Sequence, residues 1–248
     1  MSSIIIYSHI LSRRLQYITS EILERILGFE LHLTNSKEDY LQSNLPKINY
    51  SYTPLANREI YIIPQGLLFE QGVNSSLASI LPLTPTSGDA YTSYCPPAEM
   101  ADNRIILNED ILATSFFLLS RYEEYLPFQA DTHGRFSASQ SVAHRQGFLR
   151  RPLINEWAIE LGNLIESLFT EVTYKRSKFR QFNTFDVDQA FKYKNKGFLR
   201  TIGAFIKNDN NNKERSAVLL GKEHDPFNTF SDIEKWHKEK NTELMFFI

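Results

Sequence analysis

A chain of 248 residues with 42% apolar and 23% charged residues holds enough hydrophobic material for one large or two ordinary domains, which excludes a wholly disordered chain. A formal net charge of -2 argues against a nucleic-acid partner, because phosphate binding calls for a basic excess. The single cysteine, Cys95, excludes an intrachain disulfide, and no run approaches the ~20 apolar residues of a membrane span, so the cytoplasm is the expected location.

Ser3 to Tyr7 reads as a short buried strand rich in isoleucine. From about Ser12 the period becomes helical, with Leu15, Ile18, Ile22, Leu23 and Ile26 on one face and Gly28 as the stop. Phe29 to Leu33 then reads as a second strand, and this strand, helix, strand opening predicts an α/β domain. Ile60 to Ile63 and Arg104 to Leu107 are further strands, separated by Pro- and Ser-rich loop sequence around 82–94. Two helices follow. The first is expected over Glu109 to Tyr125, with Ile111, Leu112, Phe116, Leu119 and Tyr122 on one face. The second starts near Pro152 and presents Ile154, Trp157, Leu161, Leu164, Ile165 and Leu168. His133 to His144 reads as loop or hairpin, and the pair Glu123-Glu124 as a solvated helix end.

Thr173 to Lys178 is polar and basic and reads as a junction, giving an N-terminal α/β accessory domain over 1–178 and a second unit over 179–248. The second unit restarts with strand Phe179 to Phe185, a helical region from Gly197 and a polar loop over 208–213. A helix over Phe230 to Lys240 and the apolar run Leu244 to Ile248 complete it. The basic stretch Lys192 to Lys196 is expected to be a solvated face.

Asp186 and Asp188 carry the strongest chemical signal. Residues two apart in a strand share a face, roughly 7 Å apart, and two such carboxylates repel unless a cation or water relieves them. They are equally readable as solvated or helix-capping aspartates where a strand leaves its sheet.

Thr184-Phe185-Asp186-Val187-Asp188, with Phe246-Phe247 about 60 residues later, resembles the opening of the polysaccharide deacetylase (NodB-like) family. Ser120-Arg121-Tyr122-Glu123-Glu124-Tyr125-Leu126-Pro127, His133-Gly134-Arg135-Phe136, Asn155-Glu156-Trp157 and Gly197-Phe198-Leu199-Arg200 resemble the accessory segment found upstream of such domains in some bacterial proteins. The resemblance implies a distorted β/α barrel that removes N- or O-acetyl groups from a carbohydrate substrate. It implies Asp186 as general base and Asp188 as ligand of a divalent metal, usually zinc. The family's His-x-x-x-His ligand pair is absent, since no two of His9, His32, His133, His144, His224 and His237 are four apart. On this reading 179–248 is a truncated start of the domain, expected to be inactive and to bind metal weakly or not at all. Its apolar strands would be covered by docking onto the N-terminal domain or by a homodimer through the truncated edge.

Two other readings compete. An Asp-x-Asp glycosyltransferase would place a nucleotide-binding half first, and 1–178 has no Gly-x-Gly fingerprint. A haloacid-dehalogenase phosphatase normally has Thr or Val where Ala190 stands. Residues 1–178 could also form a non-catalytic binding or scaffolding module. His224 and His237 are expected at the surface.

Overall fold

The computed structural model describes residues 2–73, 98–101, 103–197 and 212–247. Cys95, the loop expected over 82–94, residues 198–211 of the expected helical region and loop, and Ile248 lie outside the described residues. The chain is an α/β protein that divides into two compact units, Met1–Ser177 and Lys178–Ile248.

The first unit is built on a six-stranded sheet of order β2-β1-β3-β4-β6-β5. The strands are β1 (Ser3–Tyr7), β2 (Glu30–Thr34), β3 (Lys47–Tyr50), β4 (Glu59–Ile62), β5 (Ala98–Ala101) and β6 (Arg104–Leu107). All pair in parallel except β5, which closes the edge antiparallel to β6. Isoleucine-rich segments suit such strands because branched side chains pack well on a pleated surface that is covered on both faces. Alternation divides them cleanly. Ile4, Ile6, Ile48, Tyr50, Ile60, Ile62, Ile105 and Leu107 enter the main core, whereas Ile5 and Tyr7 turn to the other face and pack with Tyr40.

Helix α1 (Arg13–Thr19) starts at Ser12, whose hydroxyl accepts from the Leu15 N–H at 3.0 Å. It continues as a π-helical stretch, Ser20–Ile26, so Leu15, Ile18, Ile22 and Leu23 reach the core across a change of helical pitch. Gly28 ends it at φ 73°, where an added Cβ would lie 2.7 Å from Lys175 Cβ. The segment after β2 forms α2 (Lys37–Gln42) and returns through β3, two elements that the sequence reading passed over.

The helix expected over 109–125 is shorter. Helix α3 covers Ile111–Leu119, and the chain breaks at Arg121 (φ 50°, ψ 44°) into a 3-10 turn, Tyr122–Tyr125. Its face also differs from expectation, for Leu119 is exposed while Ala113, Thr114 and Ser115 are buried. The segment 133–144 forms no hairpin. It holds a 3-10 turn, Ala138–Gln140, and then α4 (Val142–Arg145). Helix α5 (Leu153–Leu168) buries Trp157, Leu161 and Ile165 as its periodicity predicts.

The second unit pairs β7 (Phe182–Asp186) in parallel with β8 (Glu243–Phe247). The intervening chain includes α6 (Asn212–Leu219) and α7 (Phe230–Lys240). Strand β7 starts later than expected, and Phe179 is 91% exposed outside it. Asn212 and Lys213, read as loop, open α6. Tyr193 is buried within the stretch read as a solvated face, and Lys192 pairs with Glu214 at 3.1 Å.

Candidate functional site

The alternation of β7 decides where its carboxylates go. Asn183, Phe185 and Val187 are half-buried, while Phe182, Thr184, Asp186 and Asp188 are exposed. On the inner side Phe185 meets Phe246 with centroids 5.7 Å apart, and Phe230 of α7 stands edge-on to Phe246 at 4.9 Å. The ladder runs one residue past β7, with the Val187 N–H donating to the Phe247 carbonyl at 2.9 Å. Asp186 therefore sits at the C-terminal end of a parallel pair, directly opposite Phe247, and Asp188 lies just beyond. In open α/β sheets ligands collect at that end of the strands.

Both aspartates line one cleft of about 350 Å³, walled by Phe227, Thr229, Phe230 and Phe246. Among the described residues no hydrogen bond or ion pair engages either carboxylate, and no group of three or more His, Cys, Asp or Glu could hold a metal. The two carboxylates supply the oxygen part of a divalent donor set and no more.

The histidines stand apart from this cleft. His224 is exposed as expected. His237 is not: it is 2% exposed, edge-on to Phe185 at 5.7 Å, with Nδ1 2.7 Å from the Ile233 carbonyl. The lysines around it in sequence occupy the outer faces of α7, and their charge gave a misleading impression of the one position that turns inward. In the first unit, His9 meets Phe69 edge-on at 4.6 Å and Tyr52 at a tilt at 5.2 Å.

The sequence reading assigns no role to Asp225, which the structure places at a junction of the second unit. It is buried and accepts four backbone N–H groups, from Lys192 at 2.7 Å, Tyr193 at 2.8 Å, Lys194 at 3.1 Å and Phe227 at 3.1 Å. Burial pushes its carboxyl up, but these donors outweigh burial and hold it at about 2. The carboxylate thereby ties the chain that leaves Asp188 to the Phe227 wall of the cleft. The Asp225-Pro226 dipeptide was the available signal, since aspartate before proline favours turns that bond their own backbone.

The first unit has its own polar interior. Glu59, fully buried, accepts from the Tyr40 hydroxyl at 2.8 Å, from the Leu55 and Ala56 N–H groups at 2.9 and 3.0 Å, and from Arg104 Nε at 3.1 Å. These bonds hold the short helix-free return between β3 and β4. Asp110 caps α3 through Ala113 and accepts from the Tyr50 hydroxyl at 2.7 Å, and burial raises it to about 6 against those bonds. Each is fully used by the fold.

Three of the four motifs that resemble an accessory segment contribute to a second cleft, of about 470 Å³, where Arg121, Glu123, Phe136 and Asn155 meet, while the fourth falls in the second unit. Arg121 pairs with Glu124, and the Glu123 carboxylate accepts the Val142 N–H at 2.8 Å, so the acidic pair is not simply a solvated helix end.

No curated protein and no solved structure matches the chain. No helix among the described residues is long and apolar enough to cross a membrane. One family does match, over residues 4–170, which lie within the first unit and leave Asp186 and Asp188 outside. By that match the chain belongs to the family described as a family of unknown function (DUF7033).

Proposed function

We propose that the second unit is the opening strand, helix and strand of a NodB-like, metal-dependent polysaccharide deacetylase, with the DUF7033 unit as its accessory domain. The observation that carries this reading is the pairing of two outward carboxylates, Asp186 and Asp188, at the C-terminal end of a parallel strand pair in one cleft. Asp188 would hold the divalent ion, zinc in the family resembled, and Asp186 would take a proton from the attacking water. Such an ion supplies Lewis acidity toward an acetyl carbonyl and toward bound water. None of the six histidines lines this cleft to supply a nitrogen ligand, so the 248-residue chain is expected to be inactive alone. A carbohydrate substrate, a cytoplasmic location and a homodimer through the exposed strands belong to the same reading.

Two measurements test it. Titrating the 248-residue chain with Mn²⁺ should broaden the amide resonances of Asp186 to Gln189 selectively, and Asp188→Ala should abolish that broadening. Broadening elsewhere only, or unchanged in Asp188→Ala, would remove the metal assignment. In any form of the protein that releases acetate from an N-acetylated oligosaccharide, that release should vanish in Asp186→Ala while metal content is kept.

A further inference from the structure

The cleft of the first unit is not used by that chemistry. Its floor is apolar, with Phe148 and Leu153 buried beneath it and Phe136 at its side. Three guanidinium groups from three separate parts of the chain reach it: Arg25 from the π-helical stretch, Arg121 from the break after α3, and Arg151 ahead of α5. Each is held by a glutamate near it in sequence. Arg25 pairs with Glu21 at 2.8 Å, and Arg121 and Arg151 pair with Glu124 and Glu156. For Arg25 and Arg121 such pairing orients the side chain without exhausting it, because a guanidinium carries five N–H donors and a single carboxylate engages one or two. Glu21, Glu123, Glu124 and Glu156 balance the three arginines, so an anion in this cleft would be held by directed N–H donors and not by an excess of positive charge.

Arg121 holds a left-handed backbone, φ 50° and ψ 44°, that glycine would adopt without strain. A long cationic side chain at a position built for glycine points to a use for that side chain. A cavity of this size, mostly apolar with a few convergent polar groups, is the usual form of a small-molecule site.

We propose that this cleft binds an anionic saccharide unit, its carboxylate or phosphate on the arginines and its ring against Phe136. The anionic part follows from the cleft itself. The saccharide part rests on the deacetylase reading.

The test is calorimetric titration of the whole 248-residue chain with glucuronic acid, glucose 1-phosphate, inorganic phosphate and glucose. Metal is removed beforehand on a chelating resin, so that no metal at Asp188 contributes and no soluble chelator competes for the cleft. At least one of the two acids should bind about tenfold or more tighter than glucose, and whichever binds better identifies the charged group, carboxylate or phosphate. Arg121→Gly, which relieves backbone strain, should weaken acid binding about tenfold with no fall in Tm, and Arg25→Gln should weaken it similarly. Equal binding of glucose, no binding of either acid, or unchanged affinity in both variants would overturn the proposal. Binding of inorganic phosphate as tight as that of glucose 1-phosphate would overturn the saccharide part and leave the anion site. Because the Mn²⁺ titration reads Asp188 and this titration reads the first unit, either can fail without the other.

Discussion

Charge placement on single residues separates what serves the fold from what is left over for chemistry. Asp225 and Asp186 are both aspartates of the second unit, yet the first is saturated by four backbone donors and the second faces the cleft with none among the described residues. A carboxyl held at about 2 in the folded chain, against an ordinary value near 3.9 when unfolded, takes up its proton later than the unfolded state does. Its stabilising contribution is therefore complete above about pH 4 and disappears as pH falls toward 2. Asp225→Asn should remove this pH dependence from the second unit. It should also destabilise the unit by about 1–3 kcal/mol at neutral pH, because an amide oxygen replaces a charged acceptor and an NH₂ faces backbone donors. Circular dichroism of acid-titrated wild type and variant measures both. Superimposed acid transitions would show that the four bonds carry no weight.

At the scale of elements, packing overrides helix preference at Gly162, in the middle of α5. A Cβ there would lie 2.8 Å from a Tyr174 ring carbon and 3.0 Å from Leu27 Cδ2. Alanine is favoured over glycine in a helix by ~1 kcal/mol, but intrusion on a buried ring costs about 1–3 kcal/mol. Gly162→Ala should thus lower Tm, and a raised Tm would show that Tyr174 moves aside freely. The same competition explains which elements could be read from sequence. Strands β1 and β6 and helix α7 were legible residue for residue, because a branched-residue run and a 3.6-residue period each admit few alternatives. Strand β3, Lys-Ile-Asn-Tyr, was not. Its inner residues Ile48 and Tyr50 alternate with Lys47 and Asn49, and four residues with two polar ones give no period to detect. Helix α3 was overextended because 3-10 and α turns share their spacing over one turn, so Tyr122 looked like its continuation. The Asp186 and Asp188 pair was legible because strand alternation alone puts both on one face. The first-unit cleft was not, since Arg25, Arg121 and Arg151 meet only through tertiary packing.

At the scale of the whole molecule, the two units differ in how they bury their sheets. The six-stranded sheet has cores on both faces. The two-stranded sheet has α7 against one face, while the other shows Phe182, Met245 and Phe247, each about half exposed. Register fixes that pattern: Phe182 lies opposite Glu243, Thr184 opposite Met245 and Asp186 opposite Phe247, so three apolar side chains alternate across the face with Thr184 and two acids. Two strands with one covered face sit at the lower limit of what is stable in water, and each has an edge with no strand beyond it among the described residues. Burying half of three such side chains offers a few kcal/mol at about 25 cal/mol per Å², which corresponds to self-association at about the millimolar level. The 248-residue chain should therefore show a concentration-dependent shift from monomer toward dimer in sedimentation velocity. Met245→Lys should abolish the shift, because it sets a charge in the centre of the face without touching the α7 side. A sedimentation coefficient independent of concentration and unchanged by Met245→Lys would show that this face is adequately solvated as it stands.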